Sequence, residues 1–273
     1  MVLSTAGKNY DGTNLQAKKT FKNYIRDYQM TKKNNIFLSV VAPAYNEEAS
    51  IEIVVREWIK LLDNEKNAWE IIVTDDGSSD GTGKILSTLA QEDSRIKIIS
   101  LGTNKGCGYA LQQAIVQSRG QYVVTIDSDG QFNLSEYVSL LKKLHEGYDV
   151  VTGFRHKKID SIIKVLLDRI FNFIVKIFFG ISLKDTNCAL KIFKREILEK
   201  IQIDSRGYSI PTEILIKVNA LGYRIGEVRI THYYRPRGES KLRVLKVSWQ
   251  VMLFLFYLKL KLYLYKTGIV NTL

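Results

Sequence analysis

The sequence has little of what marks an exported, cysteine-stabilised or membrane-spanning protein. Its two cysteines, Cys107 and Cys188, form no CxxC or Cys/His spacing, which disfavours a disulfide framework and a cysteine-bound metal. A reducing, intracellular setting is therefore the expectation. The opening "MVLSTAGKNYDG" lacks the basic and then apolar order of a secretory signal, so we expect no export. The longest strongly apolar runs are shorter than the ~20 residues that a spanning helix needs, so the sequence predicts no transmembrane helix.

What the sequence does have is an excess of positive charge. Its 273 residues include 40 Lys and Arg against 28 Asp and Glu, a formal net charge of +12. Such an excess favours a polyanionic partner, which can be nucleic acid, anionic lipid headgroups or a phosphorylated small molecule. Charge alone does not choose among these three.

The chain has a regular α/β rhythm after a polar beginning. Residues 1–35 are rich in Lys and Asn and are interpreted as an N-terminal extension. From Phe37 to Phe154, short β-branched runs alternate with segments of helical periodicity. This alternation predicts a Rossmann-like α/β fold, with a mainly parallel sheet and helices on both faces.

Polar residues gather where the predicted strands end. The five strands are followed by "AYNEE", "DDGSSDGT", "GTNKGCG", "DSDGQ" and "GFRHKK". In parallel α/β sheets, ligands bind outside the carboxyl ends of the strands, so we expect these segments to surround one site.

The "DSDGQ" segment is a candidate metal site. Asp127 and Asp129 are two residues apart, so in extended backbone their carboxylates project to the same side, and Gln131 adds a neutral oxygen. Mg²⁺ or Mn²⁺ prefers such oxygen ligands and completes its shell with substrate phosphates. The alternative is a polar turn that closes a strand.

Two further segments have a functional and a structural interpretation. Asp75 or Asp76 could bind a nucleotide base or ribose, whereas Ser79 or Asp80 could cap the helix that follows. The glycines of "NKGCGYA", including Gly106, permit close approach of the backbone to a ligand at a helix start. This segment is not the GxGxxG fingerprint, so a nicotinamide dehydrogenase is disfavoured.

Six motifs in order give a specific resemblance. They are "VVAPAYNEEASI", "IIVTDDGSSDGT", "NKGCGYAL", "VVTIDSDGQF", "DTNCALKIFKR" and "RPRGESK". Together they resemble the family 2 glycosyltransferases of GT-A fold, most closely the polyprenyl-phosphate glycosyltransferases typified by dolichol-phosphate mannose synthase. The resemblance implies a GT-A domain over 36–241, containing an amphipathic membrane-surface helix at about 161–181. An interfacial C-terminal segment over 242–273 completes this division of the chain.

The resemblance also implies roles for individual residues. The implied donor-binding residues are Pro43, Tyr45, Glu47, Asp75, Asp76, Gly106, Asp127 and Ser128. The implied phosphate-binding residues on the acceptor side are Arg155, Arg235, Ser240 and Lys241. The implied catalytic residues are Asp127, Asp129 and Asp185, and the implied metal ligands are Asp127, Asp129 and Gln131. Glu213 matches a family glutamate, although an acid in the first turn of a helix is equally well explained by the helix dipole.

The basic segment "YYRPRGESKLR" bears on the acceptor. Arginine holds phosphate through paired hydrogen bonds and lysine as a point charge, although a solvated basic turn is the plain alternative. A lipid monophosphate is already anionic and needs positioning and charge shielding. A sugar hydroxyl would need a general base, for which Asp185 is the candidate.

The resemblance thus implies an inverting, Mg²⁺- or Mn²⁺-dependent transferase. It would move a sugar from a nucleotide diphosphate donor, GDP-mannose or a UDP-sugar, to polyprenyl or dolichyl phosphate. The first alternative is a transferase of the same fold that acts on a saccharide hydroxyl in cell-surface polysaccharide synthesis. The second is a non-catalytic basic module for nucleic acid or lipid, which has no use for the acids at the strand ends; a nucleic acid partner is disfavoured because those acids would repel it.

A polyprenyl phosphate lies in a bilayer, so we expect a cytoplasmic protein that is peripheral to a membrane. In 162–181, Lys164, Asp168, Asn172 and Lys176 form one polar stripe on an otherwise apolar helix. Such a helix fits the headgroup layer, or equally a position buried between domains. The segment 247–266 carries Trp and Tyr suited to a membrane interface, but "KLKLYLYK" within it alternates as a strand would.

Overall fold

The protein is described from a computed structural model that covers residues 36–156, 162–234 and 244–273. The strands are β1 (Leu38–Ala44), β2 (Trp69–Asp75), β3 (Ile96–Ser100), β4 (Tyr122–Thr125), β5 (Val150–Arg155), β6 (Lys191–Lys194) and β7 (Ile225–Ile230). The helices are α1 (Ile51–Leu62), α2 (Thr82–Glu92), α3 (Cys107–Gln117), α4 (Tyr137–Leu144), α5 (Ile162–Phe179), α6 (Arg195–Leu198), α7 (Ile210–Ala220) and α8 (Val244–Lys266), and a short 3₁₀ helix spans Leu134–Glu136.

All seven strands form one sheet in the order β3-β2-β1-β4-β6-β5-β7. The predicted mainly parallel sheet is confirmed, with one exception: β6 runs antiparallel to both β4 and β5. Strand β6 was not predicted from the sequence; it lies between β4 and β5 in the sheet. Because β6 is reversed, the residues that precede it lie at the same edge of the sheet as the residues that follow the parallel strands.

The central strands are buried on both faces. In β1, Val40 packs with Trp58 of α1 in one core cluster, whereas its neighbour Val41 packs with Leu111 of α3 in a second. Successive side chains of a strand point to opposite faces, so the apolar run of β1 supplies both clusters. The expectation of helices on both faces is therefore confirmed.

A third apolar cluster joins α5 and α8. Val175 of α5 and Leu258 of α8 are fully buried there, together with Ile216 of α7. The rings of Phe178 and Phe256 meet edge to face with their centroids 5.6 Å apart. Within the described ranges, no helix is both long and apolar enough to cross a bilayer.

Candidate active site

A cavity of about 310 Å³ opens at the edge of the sheet where β1, β2 and β4 end and the chain enters β6. The donor-side and metal-ligand residues predicted from the sequence that line it are Pro43, Tyr45, Glu47, Asp76, Asp127, Ser128, Asp129 and Gln131. The predicted residues Asp75, Gly106, Arg155 and Asp185 are described by the structure but do not line this cavity. Arg235, Ser240 and Lys241 lie outside the described residues.

The "DSDGQ" loop is fixed by hydrogen bonds to its own backbone and to β1. The buried Ser128 hydroxyl donates to the carbonyl of Pro43 at 2.7 Å. The Asp129 carboxylate accepts the backbone N–H of Gln131 at 3.0 Å, and Gly130 supplies the turn with a φ of 78°. A left-handed φ is a conformation that glycine adopts without strain. Both carboxylates therefore face the cavity on a loop that is already ordered.

The charge of Asp127 is poorly compensated. Burial, followed by the nearby negative charge of Asp129, raises the pKa of Asp127 to about 7, even though Arg155 and Lys191 act in the opposite direction. Two carboxylates that share a partly buried site repel each other, and a cation between them removes that repulsion. The loop is therefore better suited to binding a divalent cation than to serving only as a polar turn that closes a strand.

Gln131 is oriented to offer an oxygen to such a cation. Its amide nitrogen donates to the carbonyl of Tyr233 at 3.3 Å, so the amide oxygen is the polar atom that it can turn to a ligand. In the described part of the chain, no group of three or more His, Cys, Asp or Glu side chains could hold a metal by itself. Asp127, Asp129 and Gln131 would thus hold Mg²⁺ or Mn²⁺ with ligands from a bound phosphate compound, which is common for these ions.

The loops after β1 and β2 are joined to each other. Asn46 has a φ of 53°, and its side chain accepts the backbone N–H of Ser79 at 2.8 Å. The N–H of Glu47 donates to the hydroxyl of Thr82 at 2.8 Å. Asp80 accepts the backbone N–H of Thr82, the first residue of α2, at 3.0 Å, although the N-cap position itself is Gly81 and neither Ser79 nor Asp80. These bonds fix the two loops against each other, with Tyr45 and Glu47 at the cavity.

The structure separates Asp75 from Asp76, which the sequence left as alternatives. Asp75 is buried and accepts the N–H of Ser78 at 3.0 Å within its own turn. Asp76 lines the cavity and accepts the N–H groups of Lys105 and Gly106 at 2.7 and 2.9 Å. Burial raises the pKa of Asp76, although these two N–H donors act in the opposite direction. Asp76 is therefore the acid of this pair that can meet a ligand.

The glycines at the start of α3 admit protein backbone where the sequence analysis expected a ligand. The carbonyl of Arg206 accepts the N–H groups of Gly108 and Tyr109 at 3.1 and 3.3 Å. A Cβ at Gly106 would lie 2.4 Å from that same carbonyl oxygen, and one at Gly108 would lie 2.6 Å from the carbonyl oxygen of Gly207. The space that these glycines leave open is thus filled by the backbone carbonyl groups of Arg206 and Gly207.

Arg155 and Asp185 are paired with each other behind the cavity. The guanidinium of Arg155 donates to both carboxylate oxygens of Asp185, at 2.7 and 3.0 Å. Asp185 is only 1% exposed. This bidentate pair locks the segment before β6 to the end of β5. The roles predicted for the two residues, phosphate binding and catalysis, stay predictions.

The cavity also contains residues that the sequence analysis missed. Besides the acids, the lining includes residues from the later part of the chain, namely Asn187, Lys191, Tyr208, Ile210, Pro211 and Ile214. Lys191 is 1% exposed, donates to the carbonyls of Thr186 and Cys188, and burial lowers its pKa to about 8. A lysine inside the apolar run "CALKIF" was the available signal, because a buried lysine requires polar partners.

Comparison with known proteins agrees with the fold and the site. The crystal structure of glucosyl-3-phosphoglycerate synthase from Mycobacterium tuberculosis with phosphoglyceric acid has a TM-score of 0.64 and 25% identity, over 86% of this chain and 83% of that one. The same synthase with Mn²⁺ and UDP-glucose has a TM-score of 0.65 and 24% identity, over 86% and 82%. The architecture is that of the GT-A glycosyltransferases.

The sequence places the chain within one family of that class. The profile of "Glycosyl transferase family 2" matches residues 39–202, so the chain belongs to this family. It is 31% identical over 215 residues to the undecaprenyl-phosphate 4-deoxy-4-formamido-L-arabinose transferase of Shewanella sediminis, and 33% identical over 212 residues to that of Proteus mirabilis. These matches cover 78% and 77% of this chain, which spans 64% of the length of each relative.

Proposed function

We propose that this protein transfers a sugar from a nucleoside diphosphate sugar to a polyprenyl phosphate, with inversion at the anomeric carbon, at the cytoplasmic face of a membrane. The observation that carries the proposal is the pair Asp127 and Asp129, aimed into one cavity with Tyr45 and Asp76. The names of the two relatives, which are undecaprenyl-phosphate transferases, support the class of acceptor.

The donor would bind between the loops that follow β1, β2 and β4. Asp76 would accept a hydrogen bond from the nucleoside, and Tyr45 would pack against it, because both line the cavity from strand ends. Asp127, Asp129 and Gln131 would hold Mg²⁺ or Mn²⁺, which neutralises the charge on a diphosphate when bound. The ordered backbone of this loop means that little reorganisation is needed on binding.

The state of Asp185 favours a phosphate acceptor over a hydroxyl acceptor. A hydroxyl nucleophile needs a base within hydrogen-bond reach. Asp185 is buried and forms two hydrogen bonds with Arg155, so its carboxylate is directed away from that task. An anionic phosphate oxygen needs no base, and the lysines and arginines of this basic chain would position it.

The polar stripe of α5 supports a membrane-facing orientation of this helix. Asn172 accepts the N–H and hydroxyl of Thr186 at 3.0 and 2.8 Å, and Asp168 pairs with Arg155 at 3.4 Å. These contacts bind the polar side of α5 to the domain and Val175 is buried against α8, so one remaining row of apolar residues faces outward. The exposed apolar residues on that side are Leu166, Ile170, Phe173 and Ile177. A single row of large apolar side chains on a surface helix is typical of interfacial binding.

Helix α8 has a similar outward row. Its exposed apolar residues are Trp249, Leu253, Phe256, Tyr257, Leu260 and Tyr263, and Trp249 is 66% exposed. Trp and Tyr favour the headgroup level of a bilayer, and lysines such as Lys259 and Lys266 of the same helix suit anionic lipid. We therefore propose that α5 and α8 together rest on the membrane that contains the acceptor.

The transferase activity is tested with purified protein and a panel of UDP- and GDP-sugars in Mn²⁺ or Mg²⁺. Undecaprenyl phosphate is offered in one series and an oligosaccharide in the other. We expect nucleotide release that depends on the lipid phosphate and on the metal, and that is lost in Asp129→Ala. Transfer to the oligosaccharide alone would favour the hydroxyl-acceptor alternative. Full activity of Asp129→Ala would refute the assigned metal site.

Membrane binding is tested by flotation with vesicles that contain anionic lipid. Phe173→Glu on α5 should reduce the bound fraction severalfold, since it places a charge where an apolar side chain enters the interface. Val116→Glu on α3 is the matched control, because Val116 is 69% exposed and lies outside both rows. Equal binding by the two variants would contradict the proposed orientation.

A further inference from the structure

The 204–209 loop contributes to the cavity and contacts the first turn of α3 through both the backbone and the side chain of Arg206. Tyr208 of this loop lines the cavity. The adjoining carbonyl of Arg206 accepts the N–H groups of Gly108 and Tyr109 in the first turn of α3. A change in the position of this loop would therefore change the lining of the cavity at Tyr208.

The inner edge of the loop is fixed by one buried carboxylate. Glu213 of α7 accepts the N–H of Asp204 at 2.7 Å and the N–H of Ser205 at 2.8 Å. Glu213 is also paired with Lys217, one turn later on α7, at 2.6 Å, and both side chains are fully buried. Glu213 lies in the first turn of α7, as the helix-dipole interpretation requires, and its carboxylate also holds the loop; the family match stays a prediction.

The same loop is tied to α8 through a shared carboxylate. One oxygen of Asp204 lies 2.6 Å from the ammonium of Lys217 and 2.6 Å from that of Lys261. Lys217 belongs to α7, whereas Lys261 belongs to α8 and is largely buried, with 11% of its side chain exposed. Two lysines and two carboxylates thus form one compact network, and a charge-assisted contact of this kind is strong where water is excluded.

We propose that Lys261 is a positioning residue through which α8 fixes the 204–209 loop, and so sets the affinity of the cavity for a nucleoside diphosphate. With Lys261 in place, Asp204 is held from two sides and Tyr208 stands at the cavity wall. Without it, Asp204 loses its contact to α8 while the contacts of the loop to α3 and α7 remain, so part of the binding energy of a ligand goes into ordering the loop. The nature of the ligand rests on the proposed function; the coupling of α8 to the loop does not.

The test compares Lys261→Met with Lys261→Arg and Lys266→Met in the full chain. Methionine keeps the length of the side chain and suits a helix, arginine restores the charge, and Lys266 is an exposed lysine of the same helix. UDP and GDP are each titrated in Mn²⁺ by calorimetry. We expect binding to Lys261→Met to be about five- to tenfold weaker, which corresponds to about 1 kcal/mol. Lys261→Arg and Lys266→Met should stay within about twofold of the wild type.

Hydrogen exchange supplies a readout that does not depend on nucleotide. The amides of Gly108 and Tyr109 and those of 204–210 should exchange faster in Lys261→Met only, while the melting temperature reports any general loss of fold. Unchanged exchange and unchanged affinity in Lys261→Met would overturn the inference and leave the proposed function intact. If the wild type binds neither nucleotide, the proposed function fails instead, and hydrogen exchange alone decides the inference.

Discussion

Replacing Asp127 by asparagine should stabilise the protein in the absence of a metal and remove the stabilisation that a metal gives. Burial and the charge of Asp129 raise the pKa of Asp127 from its ordinary value of 3.8 to about 7. At pH 8 the folded protein therefore contains an ionised carboxylate in an unfavourable place. Asparagine has nearly the same shape and no charge, so the energetic cost of the buried negative charge disappears.

The magnitude follows from the pKa. A pKa difference of one corresponds to about 1.4 kcal/mol, so a rise from 3.8 to about 7 corresponds to about 4 kcal/mol at pH 8. Asp127 lines a cavity that is open to water, and solvent and ions relieve part of this unfavourable energy. We therefore expect Asp127→Asn to raise the free energy of unfolding by about 2 kcal/mol at pH 8 in a chelator.

The assay is urea unfolding between pH 5.5 and 8.5 with a chelator present. In this window the folded wild type binds more protons than the unfolded chain, so its free energy of unfolding should fall as the pH rises. Asp127→Asn should lack this part of the slope. Added Mn²⁺ at pH 8 should stabilise the wild type and leave Asp127→Asn unchanged, because only the wild type retains both charged ligands.

The control is Asp63→Asn, which removes an exposed carboxylate that pairs with Arg95 at the surface. Asp63→Asn should change the free energy of unfolding only slightly, and the pH dependence of this energy should be that of the wild type. If Asp127→Asn is less stable than the wild type at pH 8, or responds to Mn²⁺ as the wild type does, the account of this pair of acids is wrong.

Three other substitutions test individual contacts of buried residues. Burial by itself raises the pKa of Glu70, but hydrogen bonds from Lys97 and other donors outweigh burial and lower the pKa below 4.5. Glu70→Gln should therefore lower the free energy of unfolding by about 2 kcal/mol at pH 7. In urea unfolding at lower pH, the difference from the wild type should shrink below pH 4.5, where the wild-type carboxylate becomes protonated. Gly108→Ala places a methyl group 2.6 Å from the Gly207 carbonyl oxygen, so calorimetry should find weaker nucleotide binding with the fold retained. Asp185→Asn breaks the pair with Arg155 and should lower the free energy of unfolding by about 3 kcal/mol; lost activity at unchanged stability would instead support direct participation in catalysis.

The sequence predicted the donor half of the site better than the opposite half. Acids that follow apolar strands can be located from the alternation of the chain, because parallel strands end at one edge of the sheet. The position of β6 could not be predicted in this way. It is four residues long and antiparallel, and neither its length nor its direction is visible in local periodicity. Lys191 and Asn187, which reach the cavity because of β6, were missed for that reason.

Helical segments at the surface were open to two interpretations for a physical reason. The alternation of "KLKLYLYK" resembles a strand, yet Leu253, Phe256, Leu260 and Tyr263 of α8 repeat at spacings of three and four residues and form one face of a helix. On α5, the polar stripe was visible in the sequence, but its partners, Arg155 and Thr186, belong to distant segments. Periodicity indicates that a helix has two faces, and only tertiary contacts decide which face is turned inward.

The reversed strand β6 gives the cavity a lining in two parts of separate origin. The part of the lining that carries the acids comes from residues between Pro43 and Gln131, and the other part comes from residues between Asn187 and Ile214. Substitutions or insertions in the later stretch can reshape one part without moving the acids of the other. The two parts of the cavity lining can therefore change in sequence independently of each other.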